Sequence, residues 1–216
     1  MSTSVPTVRG YHDLRPLPGG HSGEMFLARP DGDAAAPLDE VVLRIYGAGH
    51  RRRGPEAPGV QTGVLRLVSG LVPAPRLVEW RSVEYGAETG LLVMSRLPGV
   101  PLVDVLPTAT DALQRRLGAS LGEALGRLSG IALTGVGSFL DHRLTLGPYP
   151  EHAESLVGWF DHLHRNTELE LLYPHEADAV RLLCARAETL LEVSPRACLV
   201  HGDLSASQRP VRPRVR

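Results

Sequence analysis

The residues best suited to chemistry lie in Leu199-Val200-His201-Gly202-Asp203-Leu204, where a short apolar run leads through a glycine turn to a carboxylate. An Asp displayed at the end of a strand can orient an attacking hydroxyl or accept its proton. Phosphoryl transfer asks for little more than such positioning together with charge stabilisation. His201 is placed to hold this loop by hydrogen bonds. A tripeptide of this kind is weak evidence alone; the apolar run before it and its position after a helical half strengthen it. A second group, Gly19, Gly20, His21, Ser22 and Gly23, lies between two apolar runs, and its missing side chains would let backbone N–H groups approach phosphate oxygens. A plain hairpin turn is the alternative reading. The third is Arg44, a single cation inside the apolar run Val41 to Tyr46. Its guanidinium offers a bidentate fork to phosphate or carboxylate, and the alternative is a strand-edge arginine reaching solvent.

Positioning these groups requires two kinds of structure. From Leu14 to Ser95 short apolar runs are broken by Gly, Pro and Asp, which predicts strands at Leu14 to Leu17, Glu24 to Ala28, Val41 to Tyr46, Arg76 to Trp80 and Leu91 to Ser95. Val60 to Val68 is predicted as the one helix among them, and Pro30 to Pro37 as a turn. After Pro107 the period becomes helical: Leu113, Leu117, Leu121, Leu125 and Leu128 share a face, capped by Thr110 or Asp111. A second helix carries Trp159, Phe160 and Leu163, and a third runs from about Glu176 to Leu191 with Val180, Leu183, Ala187 and Leu191 on one stripe. Ala197 to Val200 is read as a strand delivering the His201 to Asp203 loop. Asp161, His162 and His164 invite a metal reading, but alternate helix positions face different ways, which favours an exposed polar patch. Arg209 to Arg216, RPVRPRVR, has no apolar face and reads as a disordered basic tail or as residues outside the native reading frame.

Composition narrows the partners. Hydrophobic residues make up 43% of 216 and charged residues 22%, the balance of a globular chain able to bury a core. Every one of the 23 Lys+Arg residues is Arg, so any role that falls to lysine elsewhere must here fall to a different cation or to none. A net charge of -1 leaves no electrostatic footprint for nucleic acid or anionic membrane. Cys184 and Cys198 are too few for a disulfide framework, and no signal peptide or membrane span is legible, so a cytoplasmic location is expected. The oligomeric state is open.

The ordered series resembles the aminoglycoside phosphotransferase and choline kinase superfamily. The motifs are the Gly19 to Gly23 loop, VLRIY at Val42 to Tyr46, VPAPRLV at Val72 to Val78, LLVMSRLPGVPL at Leu91 to Leu102, GEALGRLSG at Gly122 to Gly130 and LVHGDL at Leu199 to Leu204. Each is modest, but six in order over residues 10 to 208 are specific. The resemblance implies an α+β, protein-kinase-like two-lobed fold, with a small antiparallel sheet lobe at 10–106, an incomplete helical lobe at 107–208 and a tail at 209–216. It implies ATP at the segment Met94 to Pro98, with Met94 and Arg96 among its contacts, the glycine loop and Arg44 on the phosphates, Asp203 and His201 in the catalytic loop, and Mg²⁺ bridging phosphate oxygens. The acceptor would be a small molecule carrying a hydroxyl or similar group.

The departures are equally specific. Five positions after Asp203 the family places an Asn as metal ligand, and here stands Gln208. The helix residue that pairs the strand cation is Glu in the family; the matching position is Gln61, with Glu56 a poorer substitute. The family continues to a second acidic metal ligand and further helices after the point at which this sequence reaches Arg216. The sequence therefore reads as C-terminally truncated, and a nucleotide-binding remnant without catalysis, or a regulatory module, is the alternative to an active phosphotransferase.

Overall fold

The computed structural model describes residues 6–17, 24–31, 39–46, 56–82, 90–149, 155–166, 176–191, 196–202, 204 and 210–211. Two compact units are present: one contains 1–130, 140–145 and 200–216, the other 131–139 and 146–199.

The first unit is built on a five-stranded antiparallel sheet of β1 (Tyr11–Pro16), β2 (Glu24–Pro30), β3 (Val41–Tyr46), β4 (Leu77–Arg81) and β5 (Gly90–Ser95), in the order β1-β2-β3-β5-β4. Its two central strands are apolar almost throughout, because both faces of the sheet are covered. Phe26, Leu43, Ile45, Leu91 and Val93 pack on one face with Val8, Tyr11 and Leu14. Leu27, Val42, Tyr46, Leu92 and Met94 pack on the other, with Ala57 and Leu65 of helix α1 (Ala57–Leu67) and with Trp80. Burying a side chain such as Leu43 or Leu92, both fully inaccessible, contributes on the order of 2 kcal/mol each. Strand β1 begins earlier than its apolar pattern indicates, since Asp13 adopts φ 54° at a bulge between His12 and Arg15 and lets Tyr11 pair with Pro30. Helix α1 likewise starts at Ala57 rather than Val60, with Pro58 in its first turn where a missing N–H costs nothing.

Beyond the sheet, β6 (Val100–Pro101) leads into the single turn α2 (Leu102–Val105), a 3-10 turn at Leu106–Thr108 and the long helix α3 (Asp111–Ser129). Thr110 caps α3, its hydroxyl accepting the Leu113 N–H at 3.3 Å, as the sequence pattern predicts. The predicted leucine stripe is its less exposed face, with Ala124 and Leu128 buried. Arg127 donates to the Leu71 carbonyl at 3.1 Å, fixing α3 to the turn that follows α1. Strand β9 (Pro210–Val211), within the stretch read as a tail, pairs with β6.

The second unit contains the short pair β7 (Ser138–Phe139) and β8 (Leu146–Gly147) and the helices α4 (Leu156–Asn166) and α5 (Ala177–Leu191). On α5 the less exposed positions are Ala177, Cys184, Ala187 and Glu188, whereas Val180 and Leu183 of the apolar stripe are exposed. One expectation is corrected here. Ala197 to Val200 forms no strand: Cys198 makes one isolated bridge with Ala132, flanked by the bonds Leu133 N–H to Ala197 O and Leu199 N–H to Ile131 O. The architecture is α+β, a small antiparallel sheet followed by helices, as the sequence predicts.

Candidate functional site

Five of the six residues of β3 are buried, and the exception is Arg44. Because strand side chains alternate, Val42, Arg44 and Tyr46 share the face that α1 covers. Arg44 Nη1 donates to Gln61 Oε1 at 2.9 Å, so the strand cation and the helix amide meet as the family resemblance implies. The Tyr46 hydroxyl donates to the same Oε1. The Arg44 guanidinium carbon lies 5.0 Å from the Tyr46 ring centroid, within the range of a cation–π contact. Gln61 therefore accepts from two side chains of one strand, and the tyrosine ring supplies a platform that limits where the guanidinium can go. Tyr46 escaped the sequence reading because a tyrosine inside an apolar strand looks like core, and half of its role is core.

A loop of the same unit holds α1 in place. The carboxylate of Asp141 accepts the N–H of Arg143 at 2.9 Å, the N–H of Thr145 at 3.1 Å and the Thr145 hydroxyl at 2.9 Å. The Thr145 backbone and side-chain bonds are the main reason its carboxyl sits below the usual carboxylate range. The loop so shaped, with Leu144 at φ 61°, lays His142 against α1: a Cβ on Gly63 would lie 2.6 Å from the His142 carbonyl oxygen, and one on Gly59 3.4 Å from the His142 Cβ. The His142 ring stacks 5.6 Å from Trp80. The glycines at positions 59 and 63, four apart on one helix face, were the available sequence signal for this close approach.

Other predicted site residues are distributed as follows. Met94 is buried on the α1 side of the sheet. Arg96 donates to Glu40, which also accepts from Arg15. Partial desolvation pushes the Glu40 carboxyl up, but the bond and charge of Arg96, then those of Arg15, hold it below the usual range. His201 is exposed and makes no side-chain hydrogen bond to another described residue, while Gly202 takes φ 76°, the left-handed turn the motif needs glycine for. Gly19, Gly20, Ser22, Gly23, Asp203 and Gln208 lie outside the described residues. In the second unit the group expected as an exposed patch is half-buried instead: Asp161 accepts from Arg181 Nε at 2.9 Å between α4 and α5, and the His164 ring lies 5.6 Å from Phe160 one turn earlier on α4. Among the described residues no three His, Cys, Asp or Glu are grouped to hold a metal ion, and no helix is long and apolar enough to cross a membrane.

Comparison with solved structures gives the GDP and kanamycin complex of APH(2")-IIia, at 17% identity and TM-score 0.62 over 94% of this chain and 62% of that one. A thermostable mutant of aminoglycoside phosphotransferase APH(4)-Ia, in ternary complex with AMP-PNP and hygromycin B, matches at 15% identity and TM-score 0.60 over 94% and 63%. At such identities the likeness is one of fold: the chain has the kinase-like fold of these enzymes and spans about three fifths of their length. No curated protein matches. The family model described as the phosphotransferase enzyme family matches residues 13–207, nearly the whole of the sequence that carries the motifs, and the chain belongs to that family.

Proposed function

We propose that the chain works as an ATP-dependent phosphotransferase on a small molecule carrying a hydroxyl or similar group. The observation that carries this reading is the fixed guanidinium of Arg44, held by Gln61 and Tyr46 on the helix-covered face of a family-typical sheet. In the reaction the acceptor oxygen attacks the terminal phosphorus. A new P–O bond forms, the bond to the bridging oxygen breaks, ADP leaves with that electron pair, and the acceptor proton passes to the carboxylate of Asp203. Arg44 would bind phosphate oxygens, the Gly19 to Gly23 loop would cover them, and Met94 and Arg96 would border the nucleotide. When bound, magnesium would supply charge neutralisation between phosphates, with Gln208 as a ligand. The lobes would divide near residues 106 and 107, and the supply of ATP points to the cytoplasm.

Kanamycin and hygromycin B, the compounds in the two matched complexes, are the first acceptors to try. Transfer of labelled terminal phosphate is expected with one acceptor of a panel of aminoglycosides, aminoalcohols and sugars. Asp203→Asn keeps the shape but removes charge and proton acceptance, and should lower turnover roughly a hundredfold or more. Equal turnover in the variant would refute Asp203 as the base. A second reading, nucleotide binding without transfer, is favoured by Gln208 and Gln61 standing where the resembling family has Asn and Glu. It predicts ATP binding with no transfer to any acceptor.

A further inference from the structure

The β1–β2 edge of the sheet carries charged groups that the proposed reaction does not use. Asp13, Leu14, Arg15 and Arg29 line a cavity of about 390 Å³ there, within the size range of small-molecule sites. The bulge between His12 and Arg15 shapes it. With Asp13 at φ 54°, a conformation Asp tolerates better than most residues, three consecutive residues line one cavity, where a regular strand would send neighbours to opposite faces. Arg15 lies opposite Leu27, so Arg29, two residues further along β2, shares its face.

The two cations differ in freedom. Arg15 donates from Nη2 to the half-buried Glu40, which also accepts from Arg96. That bond engages one edge of the guanidinium and fixes its place, leaving further N–H groups to bind a ligand. The Arg29 guanidinium is exposed and forms no hydrogen bond or ion pair with another described residue. Asp13 supplies the carboxylate of the lining; its Oδ2 lies 3.9 Å from His12 Nε2, and His12 Nδ1 is bonded to Asp31 at 2.7 Å. Guanidinium forks match the oxygens of a carboxylate or a phosphate. A carboxylate in the same wall repels a plain anion and attracts a cation. A ligand that carries both groups a few carbon atoms apart answers all three charged side chains, with Leu14 as the apolar wall for its chain.

We propose that this cavity is a binding site for a small zwitterion, a molecule with a carboxylate or phosphate-type anion and an ammonium group, in which Arg15 and Arg29 take the anion and Asp13 takes the ammonium. Glu40 is a positioning residue in it, acting through Arg15. The site stands whether or not the chain transfers phosphate.

The test is calorimetric titration of the full chain, at low salt, with γ-aminobutyrate and with aminopropylphosphonate, two zwitterions of similar length that differ in the anion. Butyrate, propylphosphonate and butylamine, each keeping one of the two charged groups, are the comparisons. At least one zwitterion is expected to bind with a dissociation constant of about 1 mM or lower, and about tenfold tighter than its matched plain anion. The tighter of the two identifies the anion. Arg29→Gln should weaken it about tenfold. Asp13→Asn, a replacement suited to the same backbone conformation, should weaken the zwitterion about fivefold while leaving the plain anion unchanged or tighter. No saturable binding of either zwitterion up to about 10 mM would overturn the proposal, as would a zwitterion that binds no tighter than its plain anion. So would affinities unmoved by Arg29→Gln, or a zwitterion affinity unmoved by Asp13→Asn. The comparison of ligands on the wild type does not depend on how well either variant folds.

Discussion

Single residues decide the chemistry of this sheet, and they decide its pH response as well. Glu79 on β4 accepts from Arg81 Nε at 2.5 Å and from the Tyr11 hydroxyl at 2.8 Å, tying the outer strands to the segment before β1, where Arg81 also reaches the Arg9 carbonyl. The Arg81 bond, opposed by partial desolvation and aided by Tyr11, holds the Glu79 carboxyl below its usual range. Burial, then Glu79, pushes the Tyr11 hydroxyl above its own. The signs are opposite. A lowered carboxyl contributes stability that is present above its unfolded pKa, about 4.3, and is lost as pH falls through the folded value. A raised phenol contributes stability that is whole below its unfolded pKa, about 10, and is lost as pH rises through the folded value. Denaturant midpoints measured from pH 3 to 11 should therefore fall at both ends. Glu79→Gln should flatten the acid limb and, by removing the charge beside the phenol, also soften the alkaline one, at a cost of about 1 kcal/mol at pH 7. An unchanged acid limb in that variant would assign the acid loss to other carboxylates.

At the scale of elements the positioning of α1 is the controlling feature, because Gln61 lies on it between the two glycines that touch the 140–145 loop. Gly63→Ala would gain roughly 1 kcal/mol of helix propensity but drive a Cβ into the His142 carbonyl oxygen at 2.6 Å and Leu144 Cδ2 at 2.8 Å. The overpacking should win, with a net loss of about 1 to 3 kcal/mol and, under the proposed function, a weakened nucleotide affinity as Gln61 shifts. Gly122→Ala on α3, where no atom lies within 4 Å of the added carbon, should instead stabilise by up to about 1 kcal/mol. Thermal melts of the two variants side by side read the difference; a stabilised Gly63→Ala would show that the loop contact yields freely. The elements themselves were largely legible. Strand β3 was predicted at its observed bounds, because an apolar run with one cation between turn residues admits few other readings. The start of β1 was not, since a bulge at Asp13 is set by backbone conformation that hydrophobic alternation does not encode. The stripe on α5 was legible from its period, but periodicity does not say which face a neighbour takes, and Val180 and Leu183 stand exposed while Ala187 is half-buried. The Arg44–Gln61 pair was legible through the family resemblance, whereas Tyr46 and the Asp141 loop needed the fold to bring them to α1.

For the whole molecule, charge and exposed apolar surface act together. The sequence pI is about 6.8, and with nine His residues the net charge changes sign in a narrow interval around neutrality. Repulsion between molecules is then at its weakest where the protein would ordinarily be handled. The second unit exposes large apolar side chains, Val136 at 77%, Leu190 at 74% and Leu183 at 62%. Near pH 6.8 these surfaces meet with little electrostatic opposition, so reversible association should be strongest there and should weaken toward pH 8.5 as the chain becomes net negative. Light scattering over that interval at fixed concentration should show a maximum near the pI, flattened by high salt on its alkaline side as screening removes the repulsion. Leu183→Glu together with Leu190→Glu adds two negative charges and removes two apolar groups from positions already facing solvent on α5, so it should lower the maximum and move it to a lower pH with a melting temperature close to the original. If scattering is independent of pH, or if the double variant loses its cooperative melt, those two leucines are covered in solution and the association has another origin.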